Sequence, residues 1–311
     1  MKIQKIVVFG AGILGTQIAF QISFFGFQVT LCDLTTEILV AAKQTMEQNF
    51  ERYKVDMHAD ATKLTAALEN INFTLDSAMA VRDADLLIES IPEVYEQKRE
   101  FYEHIGNIAP EKTIFCTNSS ILLPSTLANA TGRPKSFLAL HFANQIWKNN
   151  SAEVMGHPGT DPAIFQTITE FAGNIGMIPF ELHKEQPGYI LNSMLGQWIS
   201  VAIDLVTTGV ADFEAIDKCW MLGTKASLGP FAIIDIIGMT SFYNVKKIKA
   251  DRTGTARDLE QALYIKENFL DQGKLGVSSG EGFYKYPNPA YLSPDLENEF
   301  STSARNSSNL S

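Results

Sequence analysis

A chain of 311 residues, 45% of them hydrophobic and 19% charged, has the apolar content for two cored domains, which excludes a disordered protein. Its formal charge of −10 repels polyanions and excludes nucleic acid and anionic membrane as partners. The cysteines Cys32, Cys116 and Cys219 are far apart and form no CxxC pair, which excludes a disulfide framework or a zinc site.

Lys5–Phe9 is a short apolar run of the kind that forms a parallel strand buried on both faces. Gly10-Ala-Gly-Ile-Leu-Gly15 follows at once. Leu14, Ile18, Ile22 and Phe25 then recur at helical spacing until Gly26, and Val29–Asp33 reads as a second strand, completing a β-α-β unit. A charged helix is expected over Glu37–Lys54 and a weaker one over Lys63–Glu69. A strand at Asp85–Glu89 and a helix at Lys98–Ile108 come next. Strands at Thr113–Thr117, Phe137–His141, Ala152–Met155 and Met177–Leu182 complete the set. Asp161-Pro162 caps a helix that runs to Asn174 between the last two. The alternation implies an α/β fold, a Rossmann-type doubly wound and mainly parallel sheet with helices on both faces.

Beyond Pro187-Gly188 the pattern becomes all-helical, with helices expected at Tyr189–Thr208, Asp212–Leu222, Phe231–Lys249 and Ala256–Asp271. The first is apolar over most of its circumference, so it is expected to be buried in its domain or against a second subunit. The expected organisation is a nucleotide-binding domain over 1–185, a helical domain over 186–286 and a disordered, Ser/Asn/Pro-rich tail over 287–311. No apolar run approaches the ~20 residues of a membrane span, and the first one stops at Gly10. The expectation is a soluble, cytoplasmic protein.

Gly10-x-Gly12-x-x-Gly15 between a buried strand and a helix has the context of a dinucleotide site. Gly10 permits the turn, Gly12 lets the pyrophosphate approach, and Gly15 lets helix and strand pack closely. The N–H groups of the first turn, at Ile13, Leu14 and Gly15, face the phosphates. Asp33 closes the second strand, where a carboxylate bonds ribose hydroxyls and repels a 2′-phosphate. No arginine follows it, so NAD is expected over NADP, with FAD or another nucleotide as the alternative. No metal site is expected.

Three polar residues fall near the carboxyl ends of strands: Ser120, His141 and Glu153. A histidine there can shuttle a hydroxyl proton, and a carboxylate on its other nitrogen fixes the tautomer. A structural histidine satisfied by a backbone carbonyl fits the same residues.

Several motifs together resemble the L-3-hydroxyacyl-CoA dehydrogenase family. They are Gly10–Gly15, Glu89-Ser-Ile-Pro-Glu93, Thr117-Asn-Ser-Ser120, His141-Phe-Ala-Asn144, Glu153, Pro187-Gly-Tyr-Ile-Leu-Asn192 and Gly280-Glu-Gly-Phe-Tyr284. The likeness extends to about Tyr286, and His141–Trp147 is most similar to the bacterial branch that includes diketoreductase. The resemblance implies reversible NAD-dependent oxidation of a 3-hydroxyacyl-CoA, of the 3-hydroxybutyryl-CoA type, to the 3-oxoacyl-CoA. It implies His141 as the acid/base with Glu153 as its partner, and Ser120 and Asn192 bonding the substrate oxygen or ordering the site. It also implies Glu93 and Lys98 beside the nicotinamide ribose, Asn144 next to the reacting centre, Ser120 within reach of the cofactor, and a homodimer through the helical domain.

The chain departs from the family pattern at Ala143 and Gln145, where Phe and Pro are common, and at Ser278, where a basic residue is common. Asn49 and Asp56 stand where some members direct Ser and Lys towards CoA phosphates, with Arg52 and Lys54 as possible substitutes. These departures concern the CoA moiety, so reduction of CoA-free keto or diketo acids or esters is the alternative. A non-catalytic NAD-binding protein, like the crystallin relatives of the family, is a third reading. The β-hydroxyacid dehydrogenases, which use a lysine on the helix entering the second domain, do not fit, because Gly188–Leu205 contains no lysine or arginine.

Overall fold

The computed structural model describes residues 2–293. Its first unit, which ends at Leu191, is built on an eight-stranded sheet. The strands are β1 (Lys5–Phe9), β2 (Gln28–Cys32), β3 (Ile71–Thr74), β4 (Leu86–Glu89), β5 (Ile114–Thr117), β6 (Phe137–Phe142), β7 (Ser151–Met155) and β8 (Ile178–Leu182), in the order 3-2-1-4-5-6-7-8. The first six positions follow the dinucleotide-binding order and are parallel throughout. The β6–β7 pair is antiparallel, and β7–β8 is parallel again.

Alternate residues of each strand serve opposite faces. Ile6 and Val8 join Ile18, Ile22, Tyr53 and Phe171 on one side, under helices α1 (Ile13–Phe24), α2 (Thr36–Asp56), α3 (Ala61–Glu69) and the later helix Pro162–Asn174. Val7 and Phe9 join Leu87, Tyr102, Phe115 and Phe137 on the other, under α4 (Ser77–Val81), α5 (Tyr95–Ile108) and α6 (Pro124–Leu127). Burial on both faces is why these strands are continuous apolar runs, and each fully buried side chain contributes about 1.5–3 kcal/mol. The helix Pro162–Asn174, α7, is capped by Asp161 as expected.

β3 and α4 were not apparent in the sequence. Ile71-Asn-Phe-Thr is a four-residue edge strand with only Ile71 buried, too short and too polar to stand out. β2 ends at Cys32, so Asp33 lies just past the strand.

The second unit begins at Asn192 and carries helices α8 (Leu191–Thr207), α9 (Phe213–Thr224), α10 (Pro230–Ile237), α11 (Met239–Thr253) and α12 (Ala256–Asn268). Its core gathers Ile199, Ile203, Phe231, Ile234, Ile265, Phe269 and Phe283. The single helix expected over Phe231–Lys249 is two, because the chain breaks at Gly238 with φ +90. The helix expected from Tyr189 begins at Leu191, since Gly188 and Tyr189 both have positive φ. Tyr189, ahead of the division at Leu191, packs with Ala139 and Met155 of the sheet.

Two buried carboxylates organise this unit. Asp217 accepts from the N–H groups of Phe231 and Ala232 and from the Tyr284 hydroxyl; Asp235 accepts from the N–H groups of Phe283 and Tyr284 and from the Tyr286 hydroxyl. A Cβ at Gly282 would lie 2.1 Å from Asp235 Oδ1, so the Gly280–Tyr284 motif is a structural fastening. The tail expected from residue 287 does not start there: Ala290–Leu292 forms a 3-10 turn and Tyr291 is buried in the core. The rest of that expected tail, 294–311, lies outside the described residues. Among the described residues no helix is long and apolar enough to cross a membrane.

Candidate active site

The loop from β1 into α1 is shaped by its glycines. A Cβ at Gly10 would lie 2.4 Å from the Ser90 carbonyl oxygen, and one at Gly15 would lie 1.8 Å from that of Gly10. Both positions therefore exclude a side chain. Gly12 is different: a Cβ there meets nothing within 4 Å, so its lack of a side chain keeps space open beside the loop. Gly12 is also the N-cap of α1, and no side chain caps that helix. By contrast Thr35, Asp60, Asp76 and Asp161 cap α2, α3, α4 and α7. The uncapped first turn, with Ile13 exposed and Leu14 half-buried, leaves N–H groups and partial positive charge for an anion. Asp33 Oδ2 accepts the Ala11 N–H at 2.6 Å, and Oδ1 accepts that of Leu34. The carboxylate is thereby held beside the loop. These features fit a dinucleotide with a free ribose diol.

The antiparallel β6–β7 pairing sets His141 directly opposite Glu153, on one face of the sheet. Both side chains are buried. Glu153 Oε2 lies 3.0 Å from His141 Nδ1, and Oε1 accepts from the backbone N–H groups of Ile190 and Leu191 at 2.8 and 3.1 Å. Burial pushes the Glu153 carboxyl up, but the hydrogen bonds from His141, Leu191 and Ile190 outweigh it and hold the group below the ordinary carboxylate range. An ionised carboxylate only accepts, so the imidazole proton is assigned to Nδ1. The lone pair of Nε2 then faces the Ser120 hydroxyl, 3.1 Å away. Such a Ser–His–Glu relay can take a proton from, or return it to, an oxygen placed beside Nε2 and Ser120.

Lys98 is 1% exposed, and its ammonium is committed within the protein. It donates to Glu89 and to the Ile91 carbonyl and lies 3.5 Å from Glu93. Glu93 accepts from the Ser119 hydroxyl and from the N–H groups of Ile121 and Leu122. The pair expected at the nicotinamide ribose therefore also fixes the loop that carries Ser120. Asn144 lies in the exposed turn after β6, its carbonyl accepting from Asn149. Asn192 is an exposed residue of the second unit, on α8.

Sequence reasoning gave no role to two residues of this region. Glu89, fully buried at the end of β4, binds Lys98, Thr117, Tyr102 and the Ile91 N–H. The charge closing an apolar strand was its signal. Tyr189 stacks on His141, and its signal was an aromatic residue directly after Pro187-Gly188.

Residues 5–186 match the family described as 3-hydroxyacyl-CoA dehydrogenase, NAD binding domain, and residues 188–286 match 3-hydroxyacyl-CoA dehydrogenase, C-terminal domain. The mitochondrial hydroxyacyl-coenzyme A dehydrogenase of Rattus norvegicus is 32% identical over 292 residues, covering 91% of each chain. A probable 3-hydroxybutyryl-CoA dehydrogenase of Deinococcus radiodurans is 32% identical over 286 residues, covering 91% of this chain and all (100%) of its own. A solved diketoreductase, described for dual catalysis of dicarbonyl compounds, is 49% identical with a TM-score of 0.86, over 92% of this chain and 100% of that one.

Proposed function

Since the chain belongs to the 3-hydroxyacyl-CoA dehydrogenase family, we propose that it is an NAD-dependent oxidoreductase interconverting a 3-hydroxyacyl-CoA and its 3-oxoacyl-CoA, with His141 as acid/base. The observation that carries this reading is the Ser120–His141–Glu153 relay at the carboxyl end of β6, in the sheet whose first strand ends in the glycine loop. NAD, held by Gly10–Gly15 and Asp33, supplies the hydride acceptor. His141 Nε2 receives the hydroxyl proton of the substrate during oxidation and returns it during reduction. Ser120 bonds the same oxygen and keeps it in the imidazole plane. Glu153 holds Nδ1 protonated and faces the charged imidazole once Nε2 has taken the proton. Glu93 and Lys98 support the ribose side of the cofactor, and Asn144 lies next to the reacting centre. The intact relay speaks against a non-catalytic NAD-binding role.

A second reading is reduction of CoA-free keto or diketo acids or esters. The 49% identity to the solved diketoreductase favours it, against 32% for the CoA dehydrogenases above. The deciding experiment is NADH oxidation with acetoacetyl-CoA, acetoacetate and a diketo ester in parallel. Turnover confined to acetoacetyl-CoA supports the first reading. Turnover equal or better without CoA supports the second, and none with any of them removes both.

Exposed Met194 and Val201 on α8 support a homodimer through the second unit. Light scattering at the monomer mass, 34.4 kDa, would remove that reading. The unpaired Cys32, Cys116 and Cys219 support a reducing compartment, the cytoplasm.

A further inference from the structure

The short segment from Gly188 to Leu191 touches every member of the relay. The Gly188 N–H donates to the Ser120 carbonyl at 3.0 Å, and the N–H groups of Ile190 and Leu191 hold Glu153. Between them, the Tyr189 ring lies on the His141 imidazole with centroids 4.2 Å apart and planes 7° apart. The Tyr189 hydroxyl donates to the Ser119 carbonyl at 2.7 Å. The residue is 1% exposed and has φ +53, a left-handed conformation that a bulky side chain adopts only where its surroundings impose it.

Hydrogen bonds bend easily, so the two at the ring nitrogens restrain a tilt of the imidazole about its Cβ–Cγ bond only softly. Such a tilt carries the Nε2 lone pair out of line with the substrate oxygen. A flat ring against one face of the imidazole removes that freedom. A hydroxyl anchored on the Ser119 carbonyl fixes the peptide that leads into Ser120. We propose that Tyr189 is a positioning residue for proton transfer, its ring setting the plane of His141 and its hydroxyl setting the backbone that presents Ser120. The proposal rests on reading His141 as the acid/base.

The test compares Y189F, which keeps the ring, Y189L, which removes it, and H141A. Turnover and KM are read with NADH and acetoacetyl-CoA, or with the diketo ester if that is the better substrate. NADH affinity and melting temperature are read alongside. Misorientation of a reacting group costs up to about a hundredfold, so Y189L should lose roughly ten- to a hundredfold in kcat, with KM and NADH affinity unchanged. Y189F should recover most of that loss and keep a deficit of about two- to tenfold, the value of one hydrogen bond. A residue that merely filled space would instead move stability and both kinetic constants together.

Folded Y189L with native kcat overturns the proposal, as does a kcat loss matched by an equal loss of NADH affinity. If Y189L does not fold, Y189F decides, and native kcat there overturns the proposal. If Y189L loses turnover while Y189F matches the native protein, the ring assignment is supported and the hydroxyl assignment is overturned. H141A with native turnover would remove the reading of His141 itself, which separates that failure from a failure of Tyr189.

Discussion

Glu153→Gln is a sharper perturbation than its small change in shape suggests. The carboxylate makes three acceptor contacts, one with His141 Nδ1 and two with backbone N–H groups. A glutamine has one acceptor oxygen. If that oxygen stays on the Ile190 and Leu191 N–H groups, the amide NH2 faces Nδ1, and the imidazole proton must move to Nε2. The nitrogen that should accept the substrate proton is then blocked. If the amide is flipped instead, its NH2 meets two buried N–H donors, at about 1–3 kcal/mol for each donor left unsatisfied. The first orientation should therefore prevail, and turnover should fall by about 10²–10⁴-fold, the scale of a lost or mis-tautomerised general base. NADH affinity should not change, because Glu153 makes no contact with the glycine loop among those described. The assay is the initial rate of NADH oxidation with NADH affinity measured by fluorescence on the same sample. Turnover within a few-fold of native in folded E153Q would refute the tautomer argument.

The sign of the accompanying pH effect is also fixed. A carboxyl held below its unfolded value adds stability that is present above that value and is lost as pH falls through the lowered one. The Glu153 contribution to the stability advantage of the native protein over E153Q should therefore be lost on acidification below the ordinary carboxylate range.

Three further outcomes follow from the geometry. Asp33 should make the protein prefer NADH to NADPH, and Asp33→Ala should weaken NADH by about tenfold or more, the worth of a hydrogen bond to a charged group; a native preference for NADPH in fluorescence titrations would contradict this. Gly15→Ala places a Cβ 1.8 Å from the Gly10 carbonyl oxygen, so α1 must shift. Calorimetry should show both a lower melting temperature and weaker NADH binding, and no change in either would refute the packing role. Asp235→Ala strips the acceptor from two buried N–H groups and the Tyr286 hydroxyl. It should cost about 1–3 kcal/mol in urea unfolding for each buried donor left without an acceptor, and an unchanged midpoint would show that the carboxylate is dispensable.

Much of this molecule could be read from its residues because burial on both faces leaves an unbroken apolar signature. β1, β4, β5 and β6 carry that signature. β3 does not: it is an edge strand with a single buried side chain, so its pattern is that of a polar loop. The break at Gly238 was hidden because apolar residues continue on both sides, and only the backbone angle distinguishes two helices from one. His141 and Glu153 were apparent as residue types near strand ends. Their pairing was implied only by the family resemblance, since strand-end positions alone do not show β7 running against β6. The intervening stretch, 143–150, held that information, because parallel neighbours need a crossover of about a dozen residues or more. Lys98 illustrates another limit: the family resemblance implied a place beside the nicotinamide ribose, whereas its contact with buried Glu89 depends on how strand and helix pack together.

The hairpin from β6 to β7 has a bearing on how this chemistry can vary. Because His141 and Glu153 sit across a single cross-strand rung, strand register is what brings them face to face. Exposed side chains of the segment 143–150, such as Lys148 and Asn149, can therefore be exchanged while the rung is preserved, whereas Ile146 and Trp147 are packed in the core and Trp147 donates to Asp56. A slip of one residue within either strand is another matter: it would turn one partner to the opposite face and disconnect the pair at a stroke. Sequence variation at the exposed positions of that turn is thus uncoupled from preservation of the His141–Glu153 pair.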